Sequence, residues 1–273
     1  MRVAVLGSGS SGNATLVCAG GTFLLVDAGL SARDLARRMA SLGVAPAEVQ
    51  AIVITHDHGD HTRGMGVFAR HHGTPLHLTE RTRDACAHLL RGGEKVRLYR
   101  PGHPFSVGHV RVEPFITVHD AADPVGVALV DERTGLRMGV ATDLGRPTAQ
   151  IRHALSGCDL LVLEANHDEL LLASSPYPWS VKRRIASSHG HLSNHDAARF
   201  AVELLHPHLA AVVLAHLSDA CNRPELALQV VGDALRHAGW KGHLEAAAQD
   251  RPTGWLDVEE LRSREGPGQL TLL

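Results

Sequence analysis

The sequence has few cysteines, and their positions exclude two common kinds of site. Four cysteines, Cys18, Cys86, Cys158 and Cys221, are scattered along 273 residues. No C-x-x-C pair occurs, so neither a zinc ribbon nor a thioredoxin-like redox pair is indicated. Isolated thiols of this kind are typical of a reducing compartment, and we expect a cytoplasmic protein.

A strong charge of one sign and long apolar runs are also lacking. The formal net charge is −2, so the composition gives no overall electrostatic argument for nucleic-acid binding, although a local basic face stays open. The apolar run at residues 3–6 is too short for a signal peptide or a membrane span, and we expect no membrane association.

The length of the chain favours one large domain or two small ones. We predict one domain over residues 1–258 and a polar tail over residues 259–273.

Histidine is abundant instead, with 20 residues, and three of them fall in one short stretch. Residues 55–61 read T-H-D-H-G-D-H and follow the apolar run 52–54, which predicts a buried strand that ends in a tight turn at Gly59. Residues two apart share a side, so His56 and His58 can bind one ion. Asp60 and His61 follow the turn and can reach a second. The alternative is a solvated histidine-rich loop, but crowding such ligands is unfavourable without a metal.

Further polar residues follow predicted strands later in the chain. The predicted strands cover residues 110–117, 137–141, 160–163 and 211–214, and the residues just beyond them include His119, Asp143, Glu164 and His216. Asp143 has an alternative role as the N-cap of a helix predicted near residues 147–155. His191 lies in a loop that starts another helix, because Ser193 and Asp196 have the spacing of a capping box.

The motifs VDAGLS, THDHGDHTRG, VHDAADPVG and ATDLG resemble those of the metallo-β-lactamase superfamily. The resemblance implies an α/β fold, a four-layer αββα sandwich with a metal site at its lip. It implies that His56, His58 and His119 bind one ion and that Asp60, His61 and His216 bind the other. Asp143 would bridge both ions, and Asp27 would support the loop without binding metal.

This ligand set defines the expected chemistry. Five imidazoles and two carboxylates suit Zn²⁺ or Mn²⁺ and fit Mg²⁺ or Ca²⁺ poorly. Two such ions, about 3.5–4 Å apart, generate a hydroxide near neutral pH that attacks an electrophile such as phosphorus. Asp60 can both ligate and orient that nucleophile. The departing alkoxide needs a proton, so a general acid is expected opposite.

Four other segments, GSGSSGN, LEANHD, HGHLSN and LAHLSDACNRPE, resemble the YycJ/WalJ-type stand-alone exonuclease branch. That resemblance covers about residues 1–250 and implies a 5′→3′ exonuclease acting on DNA with divalent metal, with a role in DNA repair as a further expectation. It also implies that Glu164 orients His191 as the proton donor to the leaving oxygen. The alternative is a capping Glu164 and a structural His191. The chain between Asp143 and His216 is too short for a β-CASP insertion.

An exonuclease must also hold the strand end. We expect hydroxyl, amide and imidazole groups on the small-residue segment and the later loops to bind a terminal 5′-phosphate. The candidates are Ser8, Ser10, Ser11, Asn13, Asn166, Ser188, His189 and Ser193. The basic run 182–184 could contact strand phosphates, and a solvated helix face explains it equally well.

Three alternatives stay open at this stage. One is a small-molecule metallo-hydrolase, such as a cyclic phosphodiesterase, a glyoxalase II-like thioesterase or a lactonase, and a second is an RNA-directed nuclease. The third is a non-catalytic member of the family, which the complete ligand set disfavours. The sequence leaves the metal, the choice between DNA and RNA, and the oligomeric state open.

Overall fold

A computed structural model describes residues 1–264 of the chain. Within these residues, fourteen strands form two mixed sheets of seven strands each. The strands are β1 (Arg2–Gly7), β2 (Ala14–Ala19), β3 (Thr22–Val26), β4 (Val49–Val53), β5 (Leu76–Leu78), β6 (Val96–Leu98), β7 (Phe105–Val107), β8 (Val110–Ile116), β9 (Val125–Asp131), β10 (Arg137–Ala141), β11 (Leu160–Glu164), β12 (Ala211–Ala215), β13 (His243–Ala246) and β14 (Leu256–Asp257).

Each sheet combines antiparallel hairpins with parallel strands. The first has the order β14-β1-β2-β3-β4-β5-β6, and the second has the order β13-β12-β11-β10-β9-β8-β7. Parallel pairing runs from β3 to β6 in the first sheet and from β10 to β13 in the second. The carboxyl ends of the parallel strands lie at one edge of each sheet, and the loops that follow them can meet there. This edge is where the predicted ligands lie.

Ten α-helices connect the strands in the described part of the chain. They are α1 (Ala32–Ser41), α2 (Gly59–Thr62), α3 (Met65–His72), α4 (Glu80–Ala85), α5 (Ala149–Leu155), α6 (Glu169–Ser174), α7 (Trp179–Ile185), α8 (Asn194–Glu203), α9 (Pro224–His237) and α10 (Val258–Arg264). Short 3₁₀ helices cover Pro46–Glu48 and Ala87–Leu89. No helix within residues 1–264 has both the length and the apolar character needed to cross a membrane.

Side-chain alternation divides the core into three layers. In β3, Leu24 and Val26 face the second sheet, whereas Leu25 faces α1 and α3. The second sheet packs its other face against α5, α8 and α9 through residues such as Ile151 and Phe200. Both sheets are therefore covered by helices on their outer faces, which confirms the four-layer αββα sandwich.

Local capping agrees with the sequence in two places and differs in one. Ser31 caps α1 by accepting from the Asp34 N–H at 3.1 Å, and Ser193 caps α8 in the same way. The suggested N-cap role of Asp143 is wrong, because Thr148 caps α5.

The end of the predicted domain coincides with the start of a helix. Helix α10 spans Val258–Arg264, and its Leu261 packs against the core between the sheets. The predicted boundary at residue 258 stays a prediction, and residues 265–273 of the predicted tail lie outside the described residues. The chain also closes on β1, because β14 pairs with it and the Val258 N–H donates to the Met1 carbonyl at 2.9 Å.

Candidate metal centre

The histidine-rich loop follows β4 and is held from below by Asp27. The Thr55 N–H and hydroxyl both donate to the Asp27 carboxylate, at 2.8 and 2.9–3.0 Å. Asp27 also accepts from Nδ1 of His61 at 2.7 Å. Because Nδ1 carries the proton, Nε2 of His61 is the nitrogen with a lone pair for a ligand. Helix α2 begins directly after His58 and places Asp60 and His61 beyond the turn.

The second sheet contributes one residue beyond each of several strands. His119 follows β8, Asp143 follows β10 and His216 follows β12. Asp143 and His216 have left-handed backbones, with φ of 58° and 55°. Such a conformation costs of order 1 kcal/mol and needs support from its surroundings. The support here is hydrogen bonding, since the Asp143 N–H donates to Glu164 and the His216 N–H donates to the Ser8 hydroxyl at 2.7 Å.

The first cluster of ligand atoms comes from both sheets. One atom each from His56, His58, His119 and Asp143 lies within 4.8 Å of the others. Nδ1 of His119 faces the Gly190 carbonyl at 3.1 Å, so this nitrogen donates and Nε2 points into the cluster. Nε2 of His119 lies 3.3 Å from Nδ1 of His58.

The second cluster contains Asp60, His61 and His216, again with ligand atoms within 4.8 Å. Oδ2 of Asp60 lies 3.2 Å from Nε2 of His216 and 3.5 Å from Nε2 of His61. Asp143 reaches both clusters, because its carboxylate lies 3.1 Å from Nε2 of His61 and 3.6 Å from Nε2 of His119. The seven predicted ligands therefore converge, with Asp143 between the two groups.

These donors fit a divalent cation. Within residues 1–264, the buried Nε2 of His56 has no hydrogen-bond partner, and an unpaired buried polar atom is costly. Burial alone would lower the pKa of His216, but Asp143, Asp60 and Glu164 outweigh it and raise this pKa to about 10. The carboxylates thus favour positive charge at this position, and imidazole with carboxylate is a donor set that suits Zn²⁺ or Mn²⁺.

Glu164, the last residue of β11, is fully buried beneath the clusters. Its carboxylate accepts five hydrogen bonds. The donors are the N–H groups of Asp143 (3.1 Å), Leu144 (3.0 Å) and Leu192 (2.9 Å), together with Nδ1 of His191 (2.8 Å) and of His216 (3.1 Å). Burial would raise the pKa of Glu164, but the charge and hydrogen bond of His191 outweigh it and lower this pKa to about 2. Glu164 thus holds His191, His216 and the turn of Asp143 in place through hydrogen bonds, and it also offers an oxygen to a group of candidate ligand atoms with Asp143, His191 and His216.

His191 is the partly exposed member of this group. Its side chain is 19% exposed, and Nδ1 donates to Glu164, which leaves Nε2 directed away from the carboxylate. The loop is anchored because the His191 N–H donates to the Ile185 carbonyl at 2.9 Å. Gly190 permits this approach, since a Cβ there would overlap the carbonyls of Arg184 and Ile185. The geometry brings together the predicted pair Glu164 and His191.

The candidates for 5′-phosphate binding divide into two sets. Four of them already make hydrogen bonds inside the protein. The Ser8 hydroxyl accepts from the His216 N–H, and the Asn166 side chain donates to the His216 carbonyl. The Asn13 side-chain amide lies 3.2 Å from the Asp60 carboxylate, and Ser193 caps α8. The other four, Ser10, Ser11, Ser188 and His189, are exposed. Binding of a strand end by any of the eight stays a prediction.

Two supporting contacts were not foreseen from the sequence. Asp57 accepts from the Ala122 N–H at 2.8 Å, which ties the first loop to the loop of His119. Glu164 holds His216 and the turn of Asp143 in addition to His191. The position of Asp57 inside the histidine motif was the only sequence signal for the first contact.

Comparison with known proteins places this arrangement in a family. A family model described as a beta-lactamase superfamily domain matches residues 22–217. This chain belongs to the metallo-β-lactamase superfamily. It is 35% identical to exodeoxyribonuclease YycJ of Bacillus anthracis over 244 residues, which cover 88% of this chain and 91% of that protein.

A second relative and a solved structure agree with that assignment. The chain is 33% identical to exodeoxyribonuclease WalJ of Streptococcus pneumoniae serotype 2, over 87% of this chain and 89% of that protein. The crystal structure of the metallo-β-lactamase fold protein YhfI from Bacillus subtilis superposes with a TM-score of 0.70 at 18% identity, over 92% of this chain and 98% of that one. The chain therefore lies in the YycJ/WalJ branch, and the structural match supports the fold alone.

Proposed function

We propose that this protein is a metal-dependent 5′→3′ exonuclease that acts on DNA. The observation that carries the proposal is the pair Glu164 and His191, 2.8 Å apart, directly beside two ligand clusters that share Asp143. A phosphodiester has a poor alkoxide leaving group, so its cleavage needs a proton donor in addition to metal. The relatives named exodeoxyribonuclease, at 33–35% identity over most of the chain, support DNA as the substrate.

Two divalent ions, Mn²⁺ or Zn²⁺, are the proposed cofactors. His56, His58, His119 and Asp143 would hold one, and Asp60, His61, His216 and Asp143 would hold the other. When bound, such ions supply an activated water and stabilise the charge that develops on the phosphate oxygens. Asp60 lies at the rim of the second cluster, with its side chain 19% exposed, and is placed to orient the attacking water.

His191 and Glu164 deal with the leaving oxygen. The buried Glu164 carboxylate accepts from Nδ1 of His191 and fixes the ring, and the proposed acid is its imidazolium form, whose Nε2 carries the proton to be transferred. That proton passes to the departing 3′ oxygen of the upstream nucleotide. Glu164 is a positioning residue in this mechanism, since its oxygens face protein N–H groups.

The proposal also covers how the enzyme selects a strand end, where in the cell it acts and in which process. The exposed Ser10, Ser11, Ser188 and His189 are available to hold a terminal 5′-phosphate, with Ser8, Asn13, Asn166 and Ser193 shaping the backbone behind them. A cytoplasmic location and a role in DNA repair fit an exonuclease with reduced cysteines, and the resemblance to the branch is their support.

Degradation of linear DNA with Mn²⁺ tests this function, with 5′-phosphorylated and 5′-hydroxyl ends compared on otherwise identical duplexes. We expect stepwise loss from the 5′ end, faster with the phosphate, and loss of activity in Asp60→Ala. Asp233→Ala, at a half-buried position of α9 outside the candidate site, is the matched control and keeps full activity. Turnover of a small phosphodiester or thioester without any cleavage of DNA or RNA would instead identify a small-molecule hydrolase.

A further inference from the structure

Two exposed aromatic side chains lie close together in the chain, on the segment that leads into the loop of His191. Tyr177 and Trp179, between α6 and the first turn of α7, are 36% and 72% exposed. All ten Phe, Trp and Tyr residues fall within the described part of the chain, and the others are buried or half-buried. Trp240 and Trp255 donate their Nε1–H groups to backbone carbonyls at 2.6 and 3.0 Å. Exposed aromatic surface is therefore concentrated in one short segment.

The same segment is basic, although the whole chain has a formal net charge of −2. Residues 170–191 contain Lys182, Arg183 and Arg184 and no Asp or Glu. Arg184 pairs with Asp120 at 2.5 Å, and Lys182 donates to the Ala173 carbonyl at 2.6 Å. Arg183 is exposed and makes no ion pair with any residue in the range 1–264. The exposed aromatic side chains thus lie in a segment whose basic residues are not matched by any acidic residue of the same segment.

This segment is connected directly to the proposed proton donor. The last residue of α7, Ile185, accepts the His191 N–H, and the Gly190 carbonyl faces His119. Trp179 precedes Ile185 by six residues, which corresponds to about 9 Å along a helix at 1.5 Å per residue. Trp179 therefore lies about 9 Å along α7 from the residue that anchors the His191 loop.

Aromatic faces beside arginine and lysine are the chemistry that holds single-stranded nucleic acid without sequence preference. Pro176 and Pro178 flank Tyr177 and restrict the backbone, so little conformational entropy is lost on binding. We propose that Tyr177 and Trp179 stack on unpaired bases of the DNA strand whose phosphodiester lies at the metal centre. Arg183 then contacts a phosphate of the same strand. The inference rests on the proposed function and adds a separate binding surface to it.

The test is a binding titration with the full-length, metal-loaded chain. The probes are a labelled single-stranded ten-nucleotide DNA with hydrolysis-resistant phosphorothioate linkages and an abasic strand of the same length and charge. We expect the strand with bases to bind about tenfold more tightly, since base stacking on one aromatic side chain has this magnitude. In Trp179→Ala this difference largely disappears, whereas Trp179→Phe keeps most of it. Leu98→Ala, an exposed apolar position 50% accessible on β6, is the matched control and binds as the wild type does.

Three results would overturn the inference. The first is equal affinity of the wild type for the two strands, and the second is an equal loss for both strands in Trp179→Ala. The third is an effect of Trp179→Ala on self-association or on binding to anionic vesicles with none on DNA. Because these titrations need no hydrolysis, failure of the proposed function would appear separately, as wild-type protein that does not degrade natural DNA with Mn²⁺.

Discussion

The two halves of the sandwich contribute to the candidate metal centre in different ways. The first sheet supplies His56, His58, Asp60 and His61 from one loop, and the ligands are adjacent because the chain is locally folded. The second sheet supplies single residues after separate strands, and those residues meet only when the strands are paired in register. One half of the site is therefore a local motif, and the other half exists only in the folded sheet.

Each half also has one buried carboxylate beneath its ligands. Asp27 accepts from Thr55 and His61, and Glu164 accepts from five donors that include His191 and His216. The difference is His191, which contacts Glu164 and not Asp27. In the proposed mechanism the second half therefore adds a proton donor to its metal ligands, whereas the first half adds Asp60, which orients the attacking water.

The largest expected effect comes from the ligand that both clusters share. Asp143→Ala should lower kcat/KM for DNA by roughly 10⁴-fold and remove most of the bound metal, because its carboxylate contacts ligands of both clusters. His58→Ala affects one cluster and should retain more metal. Elemental analysis of both variants beside kinetic assays measures this, and equal metal loss in the two would show that Asp143 is not shared.

His191→Ala should reduce cleavage of DNA by about 10²–10³-fold, because the leaving alkoxide loses its proton donor. A phosphodiester with a p-nitrophenolate leaving group, which departs without a proton, should be affected far less. The ratio of the two rate losses is the measurement. Equal losses on both substrates would contradict a general-acid role and indicate a structural histidine.

The two supporting carboxylates allow a matched comparison. Glu164→Gln and Asp27→Asn should each cost roughly 10–100-fold in metal affinity or activity, since residues behind metal ligands have effects of this size. Of the two variants, only Glu164→Gln should also increase the dependence of the rate on the leaving group, because Glu164 contacts His191 and Asp27 does not. Rates on the same two phosphodiesters distinguish the variants. If Asp27→Asn changed the ratio of the two rates as much as Glu164→Gln does, the two carboxylates would not differ in their relation to the proton donor.

The smallest effects concern the glycines where one backbone passes another. A Cβ on Gly29 would overlap the Asp60 carbonyl, and one on Gly190 would overlap the carbonyls of Arg184 and Ile185. Gly29→Ala and Gly190→Ala should each lower the free energy of unfolding by about 1–3 kcal/mol, measured in urea. Gly254→Ala is the control, because a Cβ there meets open space among the described residues. A loss as large in Gly254→Ala would disprove the role of close approach.

The motif T-H-D-H-G-D-H and the polar residues at strand ends could be recognised from the sequence because they are local features, whereas the four layers and the full ligand set were predicted from the resemblance of these motifs to the metallo-β-lactamase superfamily. The wider role of Glu164 could not be foreseen. Three of its donors are peptide N–H groups of residues 143, 144 and 192, and their proximity depends on how β10, β11 and the His191 loop pack. Similarly, the Ser8 hydroxyl accepts a hydrogen bond from the His216 N–H, and these two residues are 208 positions apart in the chain.

The pairing of β14 with β1 has a consequence for synthesis on the ribosome. The chain emerges from its amino end, so the histidine-rich loop and the edge of β1 appear long before β12 delivers His216 or β14 covers that edge. During this interval the nascent chain presents both the histidine-rich loop and an unpaired strand edge, and exposed strand edges promote aggregation. The set of candidate ligands is complete once His216 has emerged, whereas the edge of β1 stays uncovered until β14 follows, close to the last described residue.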